Sequence, residues 1–224
     1  MTVNFPDLRP AAIVPINPPR PAGGPYRRRF KRLLDVAAVV LAAPIVLPIV
    51  AGLALAVRQD GGGAFYSQPR IGRGGHTFRI WKLRTMVPDA DARLAAHLAA
   101  DPAARAEWAA TQKLRDDPRV TPVGRLLRRT SLDELPQLWN VLRGDMSLVG
   151  PRPMMPDQLR LYPGTAYFRL RPGITGSWQV SARNQSTFAA RADYDATYDR
   201  DLSLATDAAI LLRTVGVVLR GTGC

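Results

Sequence analysis

Cysteine, histidine and carboxylates are scarce in this sequence, and each shortage excludes something. The single cysteine is Cys224, the last residue of 224. No intrachain disulfide can form, which fits a reducing compartment. Its position does not match a prenylation signal, so it is read as a tail residue without a role. The two histidines, His76 and His97, have no Cys or His at metal spacing around them, which argues against a zinc site. No G-x-S-x-G or H-E-x-x-H element is present. Gly72, Gly74 and Gly75 match neither a dinucleotide-binding nor a P-loop pattern and are assigned only to a turn. Acidic residues number 18 against 31 basic ones, for a net charge of +13. Such an excess calls for an anionic partner: nucleic acid, anionic lipid or phosphorylated substrates. Nothing marks a recognition helix or an aromatic RNA motif, so nucleic acid is not expected.

Hydrophobic residues are not scarce. They make up 46 % of the chain, enough for one modest domain with appendages. Residues 1–26 carry prolines at positions 6, 10, 15, 18, 19, 21 and 25 and read as a disordered tail. A basic cluster, Arg27 to Arg32, leads into an uncharged stretch of 22 residues from Val36 to Val57, long enough to span a bilayer as a helix. Pro44 and Pro48 interrupt it and predict a kink. Basic residues flank both ends, and positive flanks favour the cytoplasm. A re-entrant helix–break–helix and a simple span are both compatible with residues 27–58.

Past Gly61–Gly63 the periodicity changes. AFYSQ and HTFRIWKL around IGRGG predict a β-hairpin. Residues 88–115 read as helical with an interruption at Pro102. A second helical pattern runs from Val123 to Leu142, broken near Pro136. Residues 150–185 read as ordered loops, rich in Pro, Gly and Arg. Residues 207–220 form an apolar-faced helix suited either to the membrane interface or to a core.

The densest polar constellation runs from Arg128 to Pro153. Asp133 and Glu134 are adjacent acids in a basic neighbourhood. Ser131 to Glu134 is an S-x-x-E capping box, which alone would make Glu134 a helix cap. The same place can serve chemistry: a helix start favours phosphate, and a carboxylate there can attack phosphorus or hold a divalent metal. Pro136 is placed to disturb the helix so that the two acids converge. Arg128, Arg129, Arg143 and Arg152 are candidates to neutralise phosphate. Arg152 is fixed between Pro151 and Pro153. Lys82 and Arg84 alternate on the second strand and share a face.

KRLLDV, QPRIGRGG, FRIWKLRTM, the run from Asp117 to Pro153 and RPGITGSWQV occur in an order that closely resembles the bacterial sugar transferases, or monotopic phosphoglycosyl transferases, over roughly residues 28–221. The exopolysaccharide-initiating members are the most similar. The resemblance implies an α+β fold: a re-entrant helix broken at Pro44 (residues 27–58), then a catalytic domain (59–224) with a β-hairpin and amphipathic interfacial helices. This domain would lie on the cytoplasmic face of the inner membrane. It implies that Asp133 attacks the β-phosphate of a UDP-sugar, that UMP leaves, and that undecaprenyl phosphate then takes the hexose-1-phosphate. Glu134, with Asp133, would bind Mg²⁺, with Mn²⁺ as the alternative. Lys82, Arg84, Arg128, Arg152 and Pro153 would bind phosphate or nucleotide. Galactose and glucose lead as sugars. A homodimer in the membrane is compatible with this, though no motif marks one. The family has Ser-Pro at the break, whereas this chain has Ala43-Pro44.

Overall fold

A computed structural model describes residues 24–111, 114–181 and 187–219. The proline-rich tail through residue 23, and Cys224, lie outside the described residues. The chain combines helices and two small sheets. After a π-turn at Tyr26–Phe30 comes α1 (Lys31–Arg58). The strands β1 (Phe65–Ile71) and β2 (Thr77–Leu83) form the antiparallel hairpin expected from their alternation, in register from Phe65↔Leu83 to Ile71↔Thr77. Helices α2 (Ala90–Ala100) and α3 (Pro102–Thr111) follow, separated at Pro102 as expected.

Next come α4 (Pro122–Thr130), a 3-10 turn at Leu132–Glu134 and α5 (Gln137–Arg143). The segment read as loops is more regular than expected. Just before it lies β3 (Ser147–Val149), which pairs in parallel with β4 (Gly173–Thr175) inside the segment. Between and after them lie α6 (Ala166–Arg169) and α7 (Ser177–Ser181). Three residues per strand are too few to show a period. The chain closes with α8 (Arg191–Arg200) and α9 (Leu204–Leu219).

The helix α1 is helical without interruption from Lys31 to Arg58, so the separation into two helices expected at Pro44 is not seen. Proline tolerates helical φ; it deletes one donor and crowds the preceding turn, which bends a helix without ending it. Both ends of α1 pack on the same body. Near its start, Ser147 Oγ donates to Asp35 at 2.6 Å, and Val39 packs with Ile80, Val141 and Met146. Near its end, Val57 packs with Leu83 and Leu127. Along a straight helix Val39 and Val57 are about 27 Å apart, whereas Ile80 and Leu83 are about 10 Å apart along β2. Pro44 and Pro48 lie between the two anchors. The middle is bare: Leu41 is 79 % exposed and Ile45 69 %. An 18-residue window within it has a mean hydropathy of 2.6, so this helix is apolar and long enough to cross a membrane.

The globular part holds its site through a few well-placed contacts. Asn140, almost fully buried on α5, accepts from Trp81 N at 3.1 Å and donates to Arg79 O at 2.8 Å. It thereby docks α5 on the edge of β2. Gly144, at φ 91°, ends α5 in the left-handed conformation. Arg32 from α1 donates to the carbonyls of Val141 and Leu142 at that helix end. Thr121 caps α4 by accepting from Gly124 N at 2.9 Å, with Pro122 in the first turn. A Cβ on Gly124 would come within 2.1 Å of Thr85 O, so only glycine lets α4 approach the end of β2 this closely. The helix α9 divides its apolar residues between the two environments considered for it. Ile210 joins Val149, Leu170 and Tyr198 in the core, while Leu212 and Val215 remain exposed.

Candidate active site

The acid pair lies on the 3-10 turn between α4 and α5, not at the start of a helix. Ser131 ends α4 in the left-handed region at φ 58°, the one described non-glycine residue with positive φ. Its side chain makes no cap hydrogen bond, so the capping box expected from S-x-x-E does not form. The reason is tertiary. Glu134 turns to Lys82, whose Nζ donates to Oε1 at 2.7 Å. A charge-assisted bond of this kind outweighs a neutral cap. Strained backbone immediately before two carboxylates is a frequent mark of a functional turn.

Lys82 Nζ also stands 3.5 Å from Asp133 Oδ2, so one ammonium serves both acids. Adjacent side chains would diverge on a regular helix; this turn, bounded by Ser131 and Pro136, brings both to β2. Asp133 is buried, at 7 % exposure. Burial, the largest influence, pushes its carboxyl above the ordinary aspartate range; Lys82 pulls it down, Glu134 adds to the rise, and Arg128 opposes it. For Glu134 burial also pushes upward, but Lys82 and then Arg152, with hydrogen bonds from Lys82 and Gln137, hold the carboxyl below its usual range. The two acids thus differ: neighbouring cations prevail over burial at Glu134, whereas burial prevails over them at Asp133.

The other expected residues fall in three places. Arg128, half-buried on α4, is steadied by Nε donation to Thr85 Oγ1 at 2.9 Å and feels the charge of Asp133. Arg152 is exposed, follows the buried Pro151 and acts on Glu134 by its charge. Pro153 is half-buried beside it. Arg84 is engaged elsewhere. Its guanidinium donates to Asp60 Oδ2 at 2.9 Å, to Met86 O at 2.8 Å, and to the carbonyls of Gly63 and Val57. It ties the end of α1 to the hairpin, although it alternates with Lys82 in sequence. Arg129 is exposed, and Arg143 is exposed with Asp145 3.5 Å away.

Sequence reasoning missed a group beside Arg152. The isolated bridge Ile71↔Met154 lays the Pro-Arg-Pro segment along the end of β1, next to Arg70. Tyr167 clamps the junction, accepting from Met154 N and donating to Ile71 O. Arg191 from α8 lies over the Trp178 ring at 4.1 Å, and Arg152 lies 5.9 Å from the same ring centre. Gln137 was missed as well. Arg70, Gln137 and Trp178 fall in runs that carry the resemblance, QPRIGRGG, Asp117 to Pro153 and RPGITGSWQV, but were given no role there, and Arg191 falls in none of them.

As a metal site the acid pair supplies oxygen ligands from two side chains. Among the described residues no group of three or more His, Cys, Asp or Glu could hold an ion. That donor set fits Mg²⁺, which usually takes one or two carboxylates together with substrate phosphates and water. A cavity of about 530 Å³ between the end of α1 and the start of β1, lined by Ala51, Leu55, Arg58 and Phe65, contains none of the expected site residues.

Similarity to known proteins supplies the family. The family model for bacterial sugar transferases matches residues 26–221. The exopolysaccharide production protein ExoY of Sinorhizobium fredii is 45 % identical over 206 residues, covering 91 % of this chain and 90 % of that protein. The undecaprenyl-phosphate galactose phosphotransferase of Salmonella typhimurium is 46 % identical over 88 % of this chain, which spans 42 % of that longer protein. The UDP-glucose:undecaprenyl-phosphate glucose-1-phosphate transferase of Caulobacter vibrioides is 41 % identical, covering 88 % of this chain and 74 % of its own length. With the family model spanning residues 26–221 and relatives 41–46 % identical over 88–91 % of its length, the chain belongs to the bacterial sugar transferase family.

Proposed function

We propose that this enzyme transfers hexose-1-phosphate from a UDP-sugar to undecaprenyl phosphate, releasing UMP, through a phosphosugar carried on Asp133, and so initiates exopolysaccharide synthesis. The observation that carries this reading is the Asp133–Lys82–Glu134 arrangement. A buried carboxylate beside an ammonium is a nucleophile with little water to shed. In the first step an Asp133 oxygen bonds to the β-phosphorus. The bond from that phosphorus to the bridging oxygen breaks, and its electron pair leaves with UMP. In the second step an oxygen of the lipid phosphate attacks the same phosphorus and frees Asp133. Lys82 and Arg128 offset charge on the phosphoryl group as it passes. Glu134 and Asp133 would hold Mg²⁺ against the diphosphate, where the ion, when bound, offsets phosphate charge. The donor is UDP-galactose or UDP-glucose, as the names of the relatives suggest.

In the same reading α1 is re-entrant in the inner membrane, with the globular part on the cytoplasmic face. Two observations support it: both helix ends pack on one body, and arginines flank both ends. In a Cys224→Ser background, Arg28→Cys and Gln59→Cys should react with an impermeant maleimide from the same side of the membrane. Labelling from opposite sides overturns re-entrance and leaves a simple span.

The chemistry is tested with purified enzyme and a panel of UDP-sugars, without lipid acceptor. One sugar should release UMP in about one equivalent per enzyme and leave a phosphosugar label. Asp133→Asn should abolish label and burst while keeping the fold. Normal turnover by that variant, or UMP release only when acceptor is present, would sink the covalent route.

A further inference from the structure

Beside the acid pair lies a second concentration of charge that the mechanism above does not use. Its three guanidiniums come from separate elements: Arg70 from β1, Arg152 from the Pro-Arg-Pro segment and Arg191 from α8. The bridge Ile71↔Met154 and the Tyr167 clamp bring the first two together. Trp178 joins Arg152 to Arg191, since both lie over its ring. Arg191 is held between two aromatic faces, Trp178 at 4.1 Å and Phe188 at 4.5 Å.

This cluster is not internally neutralised. Arg70 Nη1 and Arg191 Nε are buried donors without a hydrogen-bond partner among the described residues. Buried, unsatisfied guanidinium donors are costly and are seldom left without a partner. Burial, then repulsion from Arg152, lowers the basicity of both Arg70 and Arg191, the latter to about 10. Two carboxylates act on the cluster by their charge: Asp157 on Arg70, and Asp195 on Arg191. Asp195 already accepts from Tyr162 at 2.8 Å and is raised by burial to about 7, so that it carries only part of its charge at neutral pH. Arrays of arginine with idle forks suit phosphate, which takes paired donors from a planar guanidinium.

Its position says which phosphate. Arg152 is shared: its charge reaches Glu134 on one side and both other arginines on the other. A nucleophile at Asp133 pushes the departing phosphate away from itself, and that phosphate gains negative charge as its bond breaks. Resting on the transferase reading above, we propose that Arg70, Arg152 and Arg191 form the leaving-group site, which binds the α-phosphate of the UDP-sugar and stabilises departing UMP. The bond broken is the one between the β-phosphorus and the bridging oxygen, and its electron pair ends on the phosphate the cluster holds. Arg70 and Arg191 then act on the first half-reaction.

The test uses full-length enzyme in detergent, labelled from UDP-sugar, with UMP as competitor and uridine as the phosphate-free control. Arg70→Gln and Arg191→Gln should each weaken UMP inhibition by about tenfold or more without changing the weak effect of uridine. Arg191→Lys, which keeps the charge but not the fork, should fall between. Thermal melts identify any variant that fails to fold, and Arg70 and Arg191 lie on different elements, so one such failure leaves the other informative. A second arm loads the enzyme with phosphosugar and times its transfer to undecaprenyl phosphate. Slowing in that arm with UMP inhibition unmoved assigns the cluster to the lipid phosphate and overturns the proposal. No effect in either arm makes it a structural stack and also overturns it. Wild-type enzyme that takes no label from any UDP-sugar contradicts the function itself, whereas labelled wild type with unaltered variants contradicts only this assignment.

Discussion

The acid turn and the arginine cluster share Arg152 as a neighbour, yet they treat buried charge in opposite ways. At the turn, two carboxylates close on one lysine, and Glu134 is held below its ordinary range as a result. In the cluster, three guanidiniums lie together, and Arg70 Nη1 and Arg191 Nε have no hydrogen-bond partner among the described residues. A compensated pair can hold its geometry before any substrate arrives. An uncompensated one leaves part of its interaction energy to be gained when an anion binds. Catalysis benefits from that division, because the nucleophile stays preorganised while stabilisation is reserved for charge that develops during reaction.

The largest way to break the compensated side is Lys82→Met. It removes the ammonium that opposes the burial-driven rise of Asp133. Asp133 then holds its proton to higher pH, so less of it is a carboxylate at neutrality. Label formation should slow by about 10²-fold at pH 7 and recover partly as pH rises. Lys82→Arg, which keeps the charge, should retain more activity and a smaller shift. Because the two acids titrate as a pair, the profile reports both. A pH profile unchanged in Lys82→Met would mean that the lysine only fixes geometry.

How much of this was readable beforehand depends on how local each determinant is. The hairpin was legible because its alternation and glycine turn are neighbours in sequence, and Pro102 marked the division between α2 and α3. The acid pair stood out by composition, but its setting did not. S-x-x-E describes a helix start only when Glu134 has no better partner, and Lys82 lies 52 positions upstream. The residues themselves predicted only a kink at Pro44 and Pro48; the break came from the resemblance, and α1 runs through both prolines as one helix. The helix α8 escaped notice because it lacks an apolar stripe; its buried acids are satisfied from afar, Asp199 by Arg27 at 2.5 Å and Arg169 at 2.6 Å. Arg191 was hidden for the same reason.

Arg84, one residue past β2, sharpens the comparison. It alternates with Lys82, so the pattern gives both the same expected role, but its donors go to Asp60 and to backbone carbonyls. Arg84→Met should therefore cost about 2 kcal/mol of stability, or roughly 4–8 °C in Tm for a chain of this size. Asp60→Asn should lower Tm in the same direction by less. A raised KM for UDP-sugar with Tm intact would instead make Arg84 a phosphate ligand.

The smallest effect probes the uncompensated side through Asp195. Its folded-state carboxyl sits at about 7, above the ordinary aspartate value of 3.8, chiefly because it is buried, with Tyr162 and Arg191 opposing the rise. The folded chain therefore binds this proton more tightly than the unfolded one does. Its contribution to stability is fully present below pH 3.8 and is lost as pH rises through about 7. Asparagine stays neutral and can still accept from Tyr162. Asp195→Asn should thus raise Tm at pH 8 by a few degrees, at about 2–4 °C per kcal/mol, with little change at pH 4. It should also leave Arg191 with still less negative charge nearby, which would strengthen UMP inhibition at pH 8 if the cluster binds phosphate. A melt that responds to pH as wild type does would mean that Asp195 is already compensated by Arg191, and the contrast between the two regions would narrow to Arg70 alone.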